Sequence, residues 1–484
     1  MLSKLLRNII TLVASKFIYN IWLHPLSRYP GPRTWAASSI PISRAQLRGD
    51  SHLLIEKLHN RYGSVVRIAP NELSFISAPA WSDIYGRSAG RTPLPRDKTF
   101  FNEMLVSPQT ITMANDENHA RLRRSMAPGF SPRALRDQEP IIQKNVNLLI
   151  AQLEKRAAQG LLTDLRDWYN FATFDLIGDL AFGESFGSLE TSRAHDWVGF
   201  VLEHFYVSSL LQVVHRFRPL NRMIACLIPK SSMERRETHD RLTKEKVTKR
   251  FGMAVERPDF THHMLQAAER GDITVQEVEK QASILILAGS ETTAVTLSFV
   301  TYLLIQDQRV QEKLRREIME TFQKEDEVDL LSVNKLEYLQ AVIQEALRLF
   351  PPITNGFPRQ VSRAPAIVDG SFVPSQVTVN VHHWTAYRSE QNFALPSEFW
   401  PERWLGDGRF NRDVRGVFQP FSVGPRNCIG RQFAYDAMKL ILAKVLWRFE
   451  MSLADESRGW LEGQKSFVSF HQPPLMVKLQ VNMQ

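Results

Sequence analysis

The sequence predicts a mainly α-helical fold with a minor β region. Apolar residues recur at helical spacing through most of the chain, and strand-like runs are confined to two regions. No Gly/Ser linker, charge block or repeat divides the 484 residues, so one large folded unit is expected after the N-terminus. The predicted helices cover residues 50–62, 117–127, 132–158, 165–182, 194–214, 234–251, 275–307, 308–324 and 335–349, with a last helix from Phe433 onward.

The N-terminal segment is apolar enough to interact with a membrane. Residues 5–23 are about long enough to cross a bilayer, although Arg7 and Lys16 interrupt them. No small-residue cleavage pattern follows, which argues against a removable signal peptide. We therefore predict a membrane anchor that spans the bilayer or lies partly in its interface, with a buried amphipathic helix as the alternative. The predicted division of the chain is residues 1–23 (anchor), 24–49 (Pro-rich linker and entry segment) and 50–484 (main folded domain).

The strand signals come from two separated parts of the chain. Residues 63–76 contain two short runs around a Pro-Asn turn. After Pro351–Pro352, IVDGSFV has an Asp-Gly turn and VTVNVH alternates apolar and polar residues. A minor sheet that receives strands from both ends of the chain is the expectation.

Composition restricts the cellular setting and the class of partner. Two cysteines, at 226 and 428, cannot form a disulfide framework, and there is no Asn-x-Ser/Thr acceptor, which fits a reducing, cytosol-facing environment. The net charge of +9 is spread through helical stretches, and no basic run alternates with aromatics, so we predict no nucleic-acid binding. A solvated basic surface is the preferred interpretation, and an acidic protein partner is the alternative.

Residues 282–305 form the longest apolar segment and carry a single charge, Glu291. Such a segment is either a second membrane span or a central helix that protein surrounds on all sides. The amphipathic continuation VQEVEKQ at its N-terminal side favours the central helix.

Within that helix, AGSETT places polar side chains beside small residues. Ala288 and Gly289 are expected to leave space on one face, and Glu291 and Thr292 follow immediately. An acid next to an alcohol beside open space can pass protons to a bound ligand. The alternative is a cluster of Ser and Thr residues that hydrogen-bond back to the helix backbone.

The motif EALR contains an acid and a base one helical turn apart. Glu345 and Arg348 share a helix face and can pair, in apolar surroundings just before a Pro-Pro stop. PERW offers a further cation, Arg403, in a proline-bent loop.

The segment FSVGPRNCIG places one cysteine in a Gly/Pro-rich loop just before a helix. Free backbone N–H groups and the helix dipole favour an anion there, which suits a thiolate at Cys428. If a flat, anionic metal cofactor lies against the loop, Gly424 and Gly430 allow close backbone approach and Arg426 can bind a carboxylate. The alternative for Cys428 is a small buried apolar residue.

This segment resembles the haem-binding loop of the haem-thiolate monooxygenases, the cytochromes P450. AGSETT, EALR and PERW occur in the family's order, so the resemblance covers nearly the whole chain after about residue 24. HPLSRYPGP and GDLAFGESFG are most similar to microsomal enzymes of filamentous fungi. The resemblance implies the cytochrome P450 fold, with a long central helix over a haem and a small N-terminal-side sheet.

The resemblance also implies a role for each matching residue. Cys428 is the expected iron ligand, beside Phe421, and Thr292 and Glu291 are the expected oxygen-side alcohol and acid. Glu345, Arg348 and Arg403 are expected to form a buried ion network. The haem propionates are expected on Arg426, Arg123 and Arg359, and His119, which stands where many family members have a tryptophan, is expected to share one of them.

The implied function is a monooxygenase that inserts one atom of O2 into a C–H bond of an apolar small molecule. The implied cofactor is heme b, and the implied electron donors are NADPH-cytochrome P450 reductase and cytochrome b5, because the chain has no flavin or nicotinamide fingerprint. The protein is expected in the endoplasmic reticulum membrane, with its catalytic domain facing the cytosol. A haem-thiolate isomerase or dehydratase and a non-catalytic haem sensor are the alternatives. Phe-, Leu-, Val- and Ile-rich segments at 85–115, 200–228, 284–292 and 353–357 suggest a substrate such as a terpenoid or polyketide intermediate of fungal secondary metabolism.

Overall fold

The computed structural model describes residues 2–87, 93–98, 100, 109–217, 230–253 and 257–482. Parts of the predicted pocket segments 85–115 and 200–228, with Cys226, lie outside these residues. The described helices are α1 (Leu2–Ile18), α2 (Arg33–Ala37), α3 (Ile40–Arg48), α4 (Ser51–Tyr62), α5 (Ala78–Tyr85), α6 (Asp116–Met126), α7 (Pro132–Asp137), α8 (Glu139–Ala158), α9 (Leu165–Phe182), α10 (Ser188–Thr191), α11 (Asp196–Arg216), α12 (Lys230–Phe251), α13 (Phe260–Glu269), α14 (Val275–Gln306), α15 (Gln308–Thr321), α16 (Leu330–Val333), α17 (Glu337–Leu349), α18 (His383–Arg388) and α19 (Arg431–Arg448). The described strands are β1 (Val65–Ala69), β2 (Glu72–Phe75), β3 (Thr163–Asp164), β4 (Arg359–Gln360), β5 (Ala366–Val368), β6 (Ser371–Val373), β7 (Thr378–Val381), β8 (Phe449–Leu453), β9 (Lys465–Ser466), β10 (Phe470–His471) and β11 (Met476–Val481).

The mainly helical class with a minor β region is confirmed. The structure divides the predicted helix 132–158 into α7 and α8 at Gln138. Pro140 lies in the first turn of α8, where a residue without a backbone N–H is tolerated, so it marks a new helix start.

The larger sheet joins the two predicted β regions. Its strand order is β1-β2-β7-β4, in which β2 runs parallel to β7 and the other pairs are antiparallel. Leu73 lies opposite Val379, and both are fully buried. The sheet therefore receives strands from the N-terminal side and the C-terminal side, as the sequence predicts.

A second sheet, of order β3-β11-β8, was absent from the sequence-based prediction. It pairs β11 with β8 over five residue pairs, from Val477 and Leu453 to Val481 and Phe449. The prediction that strands occur in only two regions was wrong on this point.

The central helix α14 begins with a capping box in which Thr274 and Glu277 satisfy each other's backbone N–H groups. It packs along α9. Among the described residues, α14 is the one helix long and apolar enough to cross a membrane, and 72% of its most apolar window is buried in the protein. This burial supports the interpretation of α14 as the core helix.

The N-terminal helix α1 exposes its apolar side chains. A short π-helical turn, Tyr19–Leu23, follows it, and the amide of Asn20 then donates to the Ala37 carbonyl at 2.8 Å. Ile42 and Ala45 of α3 are buried, so part of the predicted linker 24–49 belongs to the core. The exposed apolar side chains of this segment are Leu5, Leu6, Ile10, Leu12, Val13, Phe17, Ile18, Tyr19, Trp22 and Leu23.

A buried histidine cluster lies where α4 packs against α18. Its members are His52, His59, His382 and His383. Burial lowers the pKa of three of them to about 4, and it lowers the pKa of His382 well below the usual value, because a charged imidazolium loses its hydration there. The cluster is therefore neutral at pH 7.

Candidate active site

Two residues of α14 have accessible surface in an otherwise mostly buried helix. Ala288 is exposed and Thr292 is half-buried, although most of their neighbours on α14 are buried. The Thr292 hydroxyl donates to the Ala288 carbonyl at 2.7 Å, and the Ser290 hydroxyl donates to the Ile286 carbonyl at 2.6 Å. The back-bonding described as the alternative for AGSETT is therefore present, and it leaves the Thr292 oxygen able to accept a further hydrogen bond.

Gly289 does not open space for a ligand, and that expectation was wrong. A Cβ at this position would lie 2.8 Å from Cδ1 of Ile177 on α9. Gly289 therefore allows α14 and α9 to approach closely.

Glu291 is buried in α14. Burial raises the pKa of its carboxyl to about 8, with Arg166 opposing the shift. The carboxyl therefore keeps its proton at pH 7.

The cysteine loop folds back on itself before α19. The backbone N–H of Cys428 donates to the Phe421 carbonyl at 2.9 Å, and that of Asn427 donates to the Gly424 carbonyl at 3.1 Å. The Phe421 ring packs against Tyr435 of α19, with 5.2 Å between the centroids. Cys428 thereby lies three residues before the helix begins.

The Cys428 side chain has accessible surface, yet protein atoms surround it closely enough to desolvate it. Both observations agree if the sulfur faces an enclosed internal space. Burial raises the pKa of the Cys428 thiol, while the Gly430 N–H and the charges of Arg123 and Arg431 oppose the shift. The polypeptide alone therefore favours the neutral thiol. The N–H group and the positive charges near the start of α19 do favour a thiolate, as expected, but burial has the larger effect.

The two loop glycines differ in what surrounds them. Gly424 has φ +77, and a Cβ there would lie 2.0 Å from the Tyr85 carbonyl oxygen at the end of α5. Gly424 is thus required for packing of the protein against itself. A Cβ at Gly430 would meet the Phe130 ring at 3.7 Å, an ordinary contact.

Four of the predicted cofactor-binding residues lie in one cationic cluster. Arg123 donates to the carbonyl and to the side-chain oxygen of Asn427, both at 2.7 Å, and so links α6 to the cysteine loop. Burial and the neighbouring arginines, with Arg426 first, lower the pKa of His119 to about 3. Burial lowers the pKa of Arg359 to about 10, and Arg426 adds to this shift.

Two donors in this cluster are buried without a partner in the described part of the chain. They are Nη1 of Arg426 and Nε of Arg359. Buried guanidinium N–H groups are costly when unpaired, so these two indicate acceptors other than the residues that the structure describes. The propionates of a haem are such acceptors, and a cysteine sulfur is a known axial ligand, so the donor set fits a haem.

The predicted ion network is assembled from two separate segments, α17 and the turn Pro401–Leu405. Arg348 donates to both oxygens of Glu345, at 2.9 and 2.8 Å, and Nε of Arg403 lies 3.2 Å from the same carboxylate. These side chains have no exposed surface. Trp404 also donates to Glu345, at 3.0 Å.

Sequence reasoning missed Asp413, which forms a buried salt bridge with Arg403. Asp413 lies in no motif, but it also accepts from the backbone N–H of Ala394 at 2.8 Å. No sequence signal distinguishes it from the surface acids around it, since only the folded chain brings it to Arg403.

Comparisons with known proteins give a consistent result. The family model described as Cytochrome P450 matches residues 30–480. The chain is 62% identical to the cytochrome P450 monooxygenase astD of Aspergillus oryzae, over 96% of this chain and 91% of that protein. It is 42% identical to the cytochrome P450 monooxygenase astA of Talaromyces wortmannii, over 96% and 94% of the two chains. It is 40% identical to averantin hydroxylase of Dothistroma septosporum, over 95% of this chain and 88% of that protein.

Proposed function

The chain belongs to the cytochrome P450 family and is a haem-thiolate monooxygenase, and from this premise we propose its substrate class, its site residues and its cellular setting. It inserts one oxygen atom of O2 into a C–H bond of an apolar small molecule, a terpenoid or polyketide intermediate of fungal secondary metabolism. The similarity to fungal monooxygenases, one of them named as a hydroxylase of averantin, supports this class. It disfavours the isomerase, dehydratase and sensor alternatives.

Two observations together support the site assignment: Cys428 has accessible surface, and Arg426 and Arg359 each carry a buried donor that has no partner among the described residues. In the proposal, Cys428 would hold the iron of heme b, with Phe421 near it in the same loop and Gly430 leaving room for the cofactor. Arg426, Arg359 and Arg123 bind the propionates, and the neutral imidazole of His119 shares one of them. A bound haem would supply the activation of O2 there, and a Cys428 thiolate would tune it.

Glu291 and Thr292 are proposed to deliver protons. The Glu291 carboxyl is protonated at pH 7 because burial raises its pKa to about 8, so it holds a transferable proton inside an apolar helix. Thr292 has accessible surface, and the hydrogen bond of its hydroxyl to Ala288 fixes its orientation. Thr292 is therefore suited to pass a proton into the site while the apolar wall of α14 excludes bulk water.

We propose that the ion network of Glu345, Arg348 and Arg403 fixes the chain segment that leads into the cysteine loop. Arg403 follows the pair in a short helical turn, Pro401–Leu405, and its carbonyl accepts from Arg415 at 2.8 Å, a few residues before Phe421. A rigid segment before the loop keeps Cys428 in position, although the ion network does not contact Cys428 directly.

The setting follows from the N-terminus and the redox chemistry. Residues 1–23 are proposed as a membrane anchor in the endoplasmic reticulum, residues 24–49 as the entry segment and residues 50–484 as the haem domain on the cytosolic side. The exposed apolar side chains of α1 support the anchor. NADPH-cytochrome P450 reductase, with cytochrome b5 as an accessory donor, is the proposed source of electrons.

The deciding experiment is spectroscopic. Cys428→Ala should abolish the red-shifted Soret band of the ferrous–CO complex, because that band reports a thiolate ligand, and Cys226→Ala should keep it. Persistence of the band in Cys428→Ala would refute the ligand assignment. Metabolite comparison of strains with and without the protein then identifies the substrate.

A further inference from the structure

We propose that Asp116 is a positioning residue, which orients Arg426 so that Nη1 faces the haem propionate and thereby sets how tightly the haem is held. The inference rests on the proposed function, because it takes Arg426 as a propionate ligand. It concerns a residue outside the sequence motifs considered above.

Asp116 holds one edge of the Arg426 guanidinium. Its Oδ1 accepts from Nε at 3.1 Å and from Nη2 at 2.7 Å. Nη2 also donates to the Ala114 carbonyl at 2.8 Å. These bonds restrain the rotation of the guanidinium group, because its planar geometry fixes where the remaining N–H groups point.

The other end of the guanidinium is left without a protein partner. The Arg426 side chain is only 7% exposed, and Nη1 is buried with no hydrogen-bond acceptor in the described chain. An anion that binds at Nη1 does not need to displace Asp116, because Asp116 uses the opposite edge. The arrangement therefore favours positioning over competition between the two carboxylates.

Asp116 is not needed to cap its own helix. Asn115 is the N-cap of α6, and its side chain accepts from the Asn118 N–H at 2.9 Å. The Asp116 side chain is 76% exposed, so solvent screens its charge and its effect is expected to be mainly geometric.

The same contact ties α6 to the cysteine loop at a second point. Arg123 joins α6 to Asn427, and Asp116 joins the start of α6 to Arg426, the residue before Asn427. Two attachments fix the rotation of the loop relative to α6 better than one. Asp116 thus acts on Arg426 both directly and through the placement of the loop.

The test compares Asp116→Ala with Asp116→Asn and a matched control, Glu117→Ala. Glu117 is the next residue in the same first turn, so its replacement removes the same charge beside the same helix N-terminus without touching Arg426. The measurement is the rate at which ferric haem leaves the full-length protein for an excess of apomyoglobin, followed in the Soret region. The ferrous–CO spectrum of each variant reports whether thiolate ligation is retained.

We expect Asp116→Ala to lose haem about fivefold faster, which corresponds to the net worth of about one hydrogen bond, with the thiolate-type CO spectrum retained. Asp116→Asn, whose Oδ1 still accepts from the guanidinium edge, should keep most of the wild-type rate, and Glu117→Ala should match the wild type. In an Arg426→Lys background, Asp116→Ala should have no further effect, because the edge contact has already gone. A merely structural role for Asp116 would give the same loss in both backgrounds.

Three results would overturn the inference: a rate for Asp116→Ala equal to that of Glu117→Ala, slower haem loss, or an undiminished effect in the Arg426→Lys background. Slower loss would mean that Asp116 competes with the propionate. If the proposed function itself is wrong, the wild-type protein will not give a thiolate-type CO spectrum. None of the three results above requires that outcome, so the two failures can be distinguished.

Discussion

Replacement of Arg348 by alanine should destabilise the protein strongly. All five N–H groups of Arg348 are used, two on Glu345 and three on the carbonyls of Tyr387, Pro396 and Glu398. The variant would leave Glu345 buried with a reduced set of donors and would leave those three carbonyls without this cation. Breaking one side of a buried ion pair costs about 3–5 kcal/mol.

This free energy converts into a measurable shift of the melting temperature. Unfolding entropy is about 2.1 cal/mol/K per residue, so for a chain of 484 residues 1 kcal/mol corresponds to about 1 °C. Arg348→Ala should therefore lower the melting temperature by about 3–5 °C, and the haem content on purification should fall with it. The assay is thermal unfolding of the haem-loaded protein, followed by circular dichroism.

The chain contains a matched control for this experiment. Asp455 and Arg458 are also three residues apart, and their closest N···O distance is 2.8 Å, the same as in the Glu345–Arg348 pair. Their side chains are 81% and 79% exposed, whereas Glu345 and Arg348 have no exposed surface. Arg458→Ala should leave the melting temperature unchanged within replicate error. Equal shifts in the two variants, or none in Arg348→Ala, would refute the reasoning that burial makes the pair important.

Four further predictions test other parts of the molecule. Thr292→Ala should retain haem but form peroxide in place of product from the NADPH consumed, whereas Thr292→Ser should restore coupling; unchanged coupling in the alanine variant would remove Thr292 from the proton path. The unfolded Glu291 carboxyl ionises near pH 4.5 and the folded one near 8, so the wild type should lose stability as the pH rises between these values. Glu291→Gln should flatten that part of the melting-temperature profile, and a parallel profile would contradict the raised pKa. The folded pKa of His382 lies below the unfolded value of 6.5, so stability should fall as the pH drops below 6.5; His382→Asn, which keeps a capping side chain for Thr385, should reduce this fall, and an equal fall would exclude a contribution from His382. Deletion of residues 1–23 should shift the protein from the microsomal pellet to the supernatant, and an unchanged distribution would rule this segment out as the anchor.

The helices could be predicted because their signal is local. Apolar spacing of three and four residues located α9, α14 and α17 to within a few residues. The break at Gln138 was missed because residues 132–158 form one long amphipathic stretch that contains a single proline, Pro140. A proline is tolerated in the first turn of a helix, so Pro140 alone does not show whether one helix or two cover the stretch.

The C-terminal sheet could be predicted only in part. In β8, buried Phe449 and Met451 alternate with exposed Glu450 and Ser452, so a period-two signal is present in FEMSL. Strand β3, which pairs with β11, has only two residues, and nothing in its composition indicates pairing. Its place in the sheet depends on where α8 and α9 bring it, which is a tertiary effect.

The site residues that belong to motifs could be predicted, and those that support them could not. EALR and PERW identified the three residues that meet at Glu345, because their residue types and order are specific. Asp413 and Asp116 are ordinary acids in sequence and gain their partners only when distant segments pack together. Gly424 was predicted to allow the approach of a cofactor, and this stays a prediction, but no sequence signal indicated the close approach of the Tyr85 backbone that the structure shows there.

The cationic cluster leaves donors that nothing in the described part of the chain satisfies. Buried Arg359 and Arg426 each keep one donor with no partner among the described residues, and the pKa shifts of His119 and Arg359 include repulsion from neighbouring arginines. Like charges that gather in a buried region oppose folding unless an anion joins them. If a haem binds there as proposed, its two carboxylates would remove this repulsion and satisfy the donors in the folded state alone. Haem binding would then stabilise the fold by linkage as well as supply the chemistry, and the arginines proposed to hold it would be part of the same balance.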